Sequence, residues 1–269
     1  MSLIRIKDAT DPATWGPAID EAVHAISRGD LVVFPTDTVY GIAADAFTPS
    51  AVQALLDAKG RGRQMPPPVL MPDVRTLDGL ATDVPASARA LAEAFWPGGL
   101  TLIVRAQPSL AWDLGETHGT VALRVPDHPV ALALLRRTGP LAVSSANRTG
   151  RAAGRTVEEA YTQLGAAVPV FLDGGEVPGG VASTIVDATG DVLRIVRPGA
   201  ITLEALRAVA PVEDDASDDS VPDSAAPDEG VPHGVATRNE VPEGEGSHGD
   251  VSDGGDPGLA RPAPGDLDR

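Results

Sequence analysis

Three short stretches of this chain carry groups that could do chemistry together. The run Lys59-Gly60-Arg61-Gly62-Arg63 alternates cations with glycine. If that turn is extended, positions two apart point the same way and the three charges share a side. Two like charges about 7 Å apart repel by roughly 2 kcal/mol at an effective dielectric near 20, and an anion between them relieves the repulsion. The run reads as a phosphate site, while a solvated basic helix terminus complementing the macrodipole would use the same residues. The chain has two lysines, Lys7 and Lys59, against nineteen arginines, so a lysine beside Arg61 points to a need for a compact charge there.

The second stretch, Pro35-Thr36-Asp37-Thr38-Val39-Tyr40-Gly41, sets two hydroxyls, a carboxylate and a phenol just after the apolar run Leu31-Val32-Val33-Phe34, where open α/β sheets hold ligands. In the third, Ser144-Ser145-Ala146-Asn147-Arg148, Ser145 and Asn147 are two apart and can aim a hydroxyl and an amide at one ligand. A serine-rich turn bonded to its own backbone is the plainer alternative. Arg124 lies inside the apolar run Val121-Ala122-Leu123-Arg124-Val125. A buried guanidinium needs an anionic partner, either an internal carboxylate or a ligand.

The elements that would position these groups are legible from periodicity. Residues 3–6 alternate as a half-exposed strand, and Ala18, Ile19, Ala22, Val23 and Ile26 recur at helical spacing before Gly29. Residues 31–34 form a buried strand, and a helix over 49–58 has Thr48 as N-cap and Pro49 at its first position. Pro66-Pro67-Pro68 forces an extended entry into residues 69–71. Helices are expected over 86–95, over 130–137, after the capping box Thr156-Val157-Glu158-Glu159, and after Thr202. Strands are expected at 100–104, 121–125, 141–143, 170–172, 184–186 and 193–196, with Gly174-Gly175 and Gly179-Gly180 as turns. Interleaved strands and helices predict one α/β domain on a twisted mixed sheet flanked by helices, spanning residues 1–210.

The formal charge of -17 belongs mostly to the C-terminal quarter. Residues 211–269 hold sixteen acids and three bases, against 22 and 18 in the rest, so the body is only mildly acidic. That tail lacks aromatic residues and periodicity and is expected to be disordered. Its formal Gly-x-Gly-x-x-Gly match at Gly244, Gly246 and Gly249 has neither strand nor helix around it and too many carboxylates to hold a pyrophosphate. The absence of cysteine excludes disulfides, thiolate metal sites and a cysteine nucleophile. With no apolar leader or membrane-length run, a cytoplasmic protein is expected.

Taken in order, Pro35-Thr36-Asp37-Thr38-Val39-Tyr40-Gly41, Lys59-Gly60-Arg61, Phe95-Trp96-Pro97-Gly98, Leu100-Thr101-Leu102, Val121 to Pro126 with Asp127-His128, Ser144-Ser145-Ala146-Asn147, Ser183-Thr184-Ile185-Val186-Asp187 and Arg197-Pro198-Gly199 resemble the YrdC/Sua5/TsaC family of L-threonylcarbamoyladenylate synthases, in its short single-domain form. The resemblance spans nearly the whole body. It implies a nucleotidyltransferase that joins L-threonine, bicarbonate or CO2 and ATP, with Mg2+, into L-threonylcarbamoyladenylate and pyrophosphate for the N6-threonylcarbamoyladenosine modification of tRNA. Lys59, Arg61, Ser145 and Asn147 would be the hallmark catalytic tetrad. Thr38, Arg124, Ser145 and Ser183 would hold threonine, and Lys59, Arg61, Thr120, Asn147 and Arg197 would face ATP, with no metal held by the protein itself. Implied partners are tRNA and the proteins that transfer the threonylcarbamoyl group. The chain departs from the family at Met65, before the three prolines, and at Leu70, where relatives often have Asn and His. Two rival readings share the fold: a carbamoyl-transfer domain of hydrogenase maturation and a double-stranded RNA-binding module without catalysis.

Overall fold

The computed structural model describes residues 5–177 and 180–214. In chain order these form β1 (Arg5–Asp8), α1 (Gly16–Ser27), β2 (Val32–Phe34), β3 (Gly41–Asp45), α2 (Pro49–Lys59), β4 (Val69–Leu70), α3 (Leu77–Leu80), β5 (Ala81–Thr82), α4 (Ala86–Phe95) and β6 (Leu100–Ala106). They continue with β7 (Thr120–Arg124), α5 (Pro129–Thr138), β8 (Leu141–Ser145), α6 (Val157–Leu164), β9 (Val170–Asp173), β10 (Thr184–Asp187), β11 (Leu193–Arg197), α7 (Leu203–Arg207) and β12 (Val212–Asp214). The strands join in one mixed sheet of order β1-β9-β2-β3-β8-β4-β7-β6-β10-β11-β12, with β5 on β6. This is the α/β architecture expected.

Period-two alternation sends each strand's side chains to opposite faces. Val32 and Phe34 of β2 and Val170 and Leu172 of β9 pack with α1 and α5. Val33 and Phe171 turn the other way, against α2 and α6. Further along the sheet, Leu100, Leu102 and Val104 of β6 and Val121 and Leu123 of β7 enter a third cluster with α4 and α7. The alternate residues of these two strands, Thr101, Ile103, Thr120, Ala122 and Arg124, face a cavity instead. An arginine inside an apolar strand is thus a residue on the strand's other face.

Three expectations need correction. Gly41, expected at the end of the turn, instead opens the strand Gly41–Asp45, because β2 on one side and β8 on the other both offer it antiparallel ladders. The domain does not end at Ala210: Val212 is buried and Val212–Asp214 pairs in parallel with β11. Thr48 is at the N-cap of α2 but its hydroxyl donates to Asp45 Oδ2 at 2.7 Å rather than capping the helix. Thr156 and Thr202 do cap their helices, accepting from the Glu159 and Ala205 amides. Residues 3 and 4, Gly179, and the tail from 215 onward, including Gly244, Gly246 and Gly249, lie outside the described residues.

Candidate active site

The cavity has a volume of about 350 Å³. Its floor crosses neighbouring strands, from Ser145 on β8 through Leu70 on β4, Arg124 on β7 and Thr101 on β6 to Ile185 on β10 and Arg197 on β11. Arg61, Arg124 and Arg197 line it, and among the described residues no carboxylate does. Such a wall suits anions. Pro66, Pro67, Pro68, Leu70 and Leu114 supply an apolar side; of the two departures read from the resemblance, Leu70 stands on this side and Met65 does not line the cavity.

Arg124 is held in three places. Its Nε donates to Gly98 O at 2.9 Å, its Nη1 to Thr38 Oγ1 at 2.9 Å and its Nη2 to Asp37 Oδ1 at 2.7 Å. A guanidinium has five N–H donors, so two remain for a ligand. Of the two partners left open by the sequence, the internal carboxylate is present, and it is Asp37. Burial pulls the Arg124 pKa down, and the neighbouring Asp37 charge opposes that shift. Thr36 sets the turn: its hydroxyl donates to Val39 O at 2.6 Å and lies 3.1 Å from Thr38 Oγ1. Tyr40, expected among the ligand-facing groups, is fully buried and serves the fold. Its phenol donates to Gly175 O and accepts from the Gly174 amide, and burial raises its pKa far above the ordinary phenol range.

The three cations of the alternating run diverge. Helix α2 ends on Gly60 at φ 66°, ψ 40°, a left-handed conformation that disfavours residues bearing a Cβ. The Gly60 amide donates to Asp57 O and the Arg61 amide to Leu56 O, the paired bonds of a Schellman stop. The chain therefore reverses rather than running extended, and the shared side expected for Lys59, Arg61 and Arg63 does not form. Lys59, only 2% exposed, sends Nζ to Ser145 O at 2.6 Å and Asn147 O at 2.7 Å. Arg61 turns to the cavity and donates to Ser144 Oγ at 3.1 Å. Arg63 points to the surface and pairs with Asp113 at 2.5 Å. Its hydrogen bond, with help from the Gly115 amide, holds the Asp113 carboxyl below the usual range. That pair, with the Glu116 amide on Arg63 O, ties down the loop carrying Leu114 and Thr117.

Of the nine residues expected at a site, seven line this one cavity: Thr38, Arg61, Thr120, Arg124, Ser145, Ser183 and Arg197. Lys59 and Asn147 do not. Asn147 is fully buried, its amide donating to Arg148 O and Arg151 O, so both residues brace the loop behind Ser145 rather than forming the wall. Ser183 accepts from Arg197 Nη2 at 3.2 Å and its hydroxyl lies 2.8 Å from that of Thr101. Gly199 lets this corner close, since a Cβ there would lie 2.4 Å from Ala182 O. Sequence reasoning set Asp37 among the ligand-facing groups rather than on Arg124, and gave no role to Thr101 or Thr117. As a partner for Arg124, Asp37 had a signal, a carboxylate between two threonines in a chain whose Arg124 lies in an apolar run and needs an anion; Thr101 and Thr117 had none.

A protein-family model named Sua5_yciO_yrdC, described as "Telomere recombination", matches residues 24–199. The chain belongs to the Sua5/YciO/YrdC family. A relative in Mycobacterium tuberculosis, named "Putative threonylcarbamoyl-AMP synthase", is 53% identical over 206 residues, covering 77% of this chain and 95% of that protein. The Bacillus subtilis threonylcarbamoyl-AMP synthase is 39% identical across 75% of this chain and 59% of its own length. Among solved structures, that of P. abyssi Sua5 complexed with L-threonine superposes with a TM-score of 0.73 at 32% identity, over 77% of this chain and 62% of that one. The fold of this Sua5/YciO/YrdC member is therefore that of a family whose relatives are named as synthases. Among the described residues no helix is long and apolar enough to cross a membrane.

Proposed function

We propose that the protein is an L-threonylcarbamoyladenylate synthase supplying the N6-threonylcarbamoyladenosine modification of tRNA. The observation that carries this reading is a single cavity in which Arg124, with two N–H donors left, and Arg61 and Arg197 stand on a wall free of described carboxylates. A bidentate carboxylate at Arg124 is the geometry that fork favours, and the Thr38 and Ser183 hydroxyls lie in the same cavity to orient an amino acid. Arg61, Thr120 and Arg197 then meet the nucleotide.

The chemistry needs no protein nucleophile. The threonine amine takes up CO2, or bicarbonate with loss of water, and gives a carbamate. A carbamate oxygen attacks the α-phosphorus of ATP as the bond to the bridging oxygen breaks, and pyrophosphate leaves. The protein aligns two anions and spreads the charge that develops between them. Ser145 stands on the wall as an orienting hydroxyl, held there by the Lys59 bonds to the carbonyls on either side of Ala146. Magnesium bound with ATP would offset the phosphate charge beside Arg61 and Arg197, and no carboxylate among the described lining residues is placed to hold it.

Incubation with ATP, bicarbonate and L-threonine, followed by mass spectrometry, is expected to show the threonylcarbamoyladenylate and an equal amount of pyrophosphate, and to show neither when threonine is omitted. ATP turnover that ignores threonine would remove this reading.

A further inference from the structure

We infer that Asp37 is a positioning residue for the amino acid, acting through Arg124. The inference rests on the reading that Arg124 receives the threonine carboxylate. Asp37 does not itself line the cavity. One of its oxygens, Oδ1, accepts from Arg124 Nη2 at 2.7 Å and from the Asp127 amide at 2.9 Å. The same carboxylate thus binds both the tip of the arginine and the backbone three residues beyond it, where the chain leaves β7 for α5. Its side chain is 18% exposed and that of Arg124 is 7% exposed, so the pair is shielded from water and its geometry is not averaged by solvent.

Two effects of Asp37 on an incoming carboxylate oppose each other. Its charge competes with the ligand for the guanidinium, and removing it would strengthen the attraction. Its position fixes the rotation of the guanidinium plane, and losing that position would misalign the two free N–H groups. Bidentate recognition depends steeply on direction, and among the described residues Asp37 alone anchors Nη2, while Nε has Gly98 and Nη1 has Thr38. Position therefore outweighs charge.

Two substitutions separate these effects. Asp37→Glu keeps the charge and moves the acceptor by one methylene; Asp37→Asn keeps an acceptor at Oδ1 and removes the charge. Steady-state pyrophosphate release, with threonine and ATP varied in turn, is expected to show a tenfold or larger rise in KM for threonine in Asp37→Glu. KM for ATP and kcat should stay within threefold of wild type. Asp37→Asn should recover most of the threonine affinity. The opposite order, with Glu near wild type and Asn impaired, would overturn the inference in favour of charge compensation, and equal loss of both substrates would reduce Asp37 to a fold element. If Asp37→Asn does not fold, the KM split in Asp37→Glu decides alone. Arg124→Lys serves as the control: an unchanged KM for threonine there would refute the underlying reading, whereas a raised KM there with wild-type behaviour in Asp37→Glu would refute only the role of Asp37.

Discussion

Arg124→Gln is expected to lower pyrophosphate release at subsaturating threonine by about a hundredfold, the equivalent of the roughly 3 kcal/mol that two charge-assisted hydrogen bonds contribute. The same change strands Asp37. Breaking a buried ion pair from one side costs about 3–5 kcal/mol, and because the Asp37 side chain retains 18% exposure the loss here should fall toward about 2 kcal/mol. For a domain of this size that lowers Tm by roughly 4–8 °C. Arg124→Lys separates the two consequences. A lysine keeps a cation beside Asp37 and recovers much of the melting temperature, but an ammonium cannot present two parallel N–H groups, so threonine affinity stays low. Wild-type threonine kinetics in the glutamine variant would contradict the assignment.

Lys59→Ala carries the second large effect, and it falls on the fold as well as on turnover. On an exposed loop, loss of Lys59 or of Arg61 would remove activity and spare the fold. Lys59 is instead the last residue of α2, buried, with Nζ between two carbonyls of the loop after β8. Alanine leaves those carbonyls unmet at about 1–3 kcal/mol each. At about 4 kcal/mol for the two together, the variant should melt roughly 8–16 °C lower and turn over poorly because Ser145 has lost its brace. Arg61→Ala, whose side chain stands on the cavity wall, should lose turnover with a much smaller change in Tm. Differential scanning fluorimetry beside a pyrophosphate assay distinguishes the two, and equal melting temperatures for both variants would contradict the bracing role.

The contrast between Lys59 and Arg61 shows where sequence reading stopped. Periodicity placed α4 over residues 86–95 and located β6, β9 and β10 to within a few residues, because each buries an alternating or helical apolar face. Strand β3 was not legible, since alanine-rich Gly41–Asp45 has little strand preference of its own and is set by its two neighbours. The same limit applied at the site. That Arg124 needs an anion follows from a charge in an apolar run, but the identity of Asp37 as that anion depends on the turn after β2 meeting the end of β7. The parting of Arg61 from Lys59 depends on one left-handed glycine, Gly60. The blocks named the residues that gather here; only the fold separates wall from brace.

The most direct test is a crystal structure with L-threonine and a non-hydrolysable ATP analogue bound together. The account predicts both in the one cavity, the threonine carboxylate on the Arg124 fork and the triphosphate toward Arg61 and Arg197, with Lys59 still bonded to the carbonyls of Ser145 and Asn147. Threonine bound away from Arg124, or two ligands that exclude each other, would contradict it.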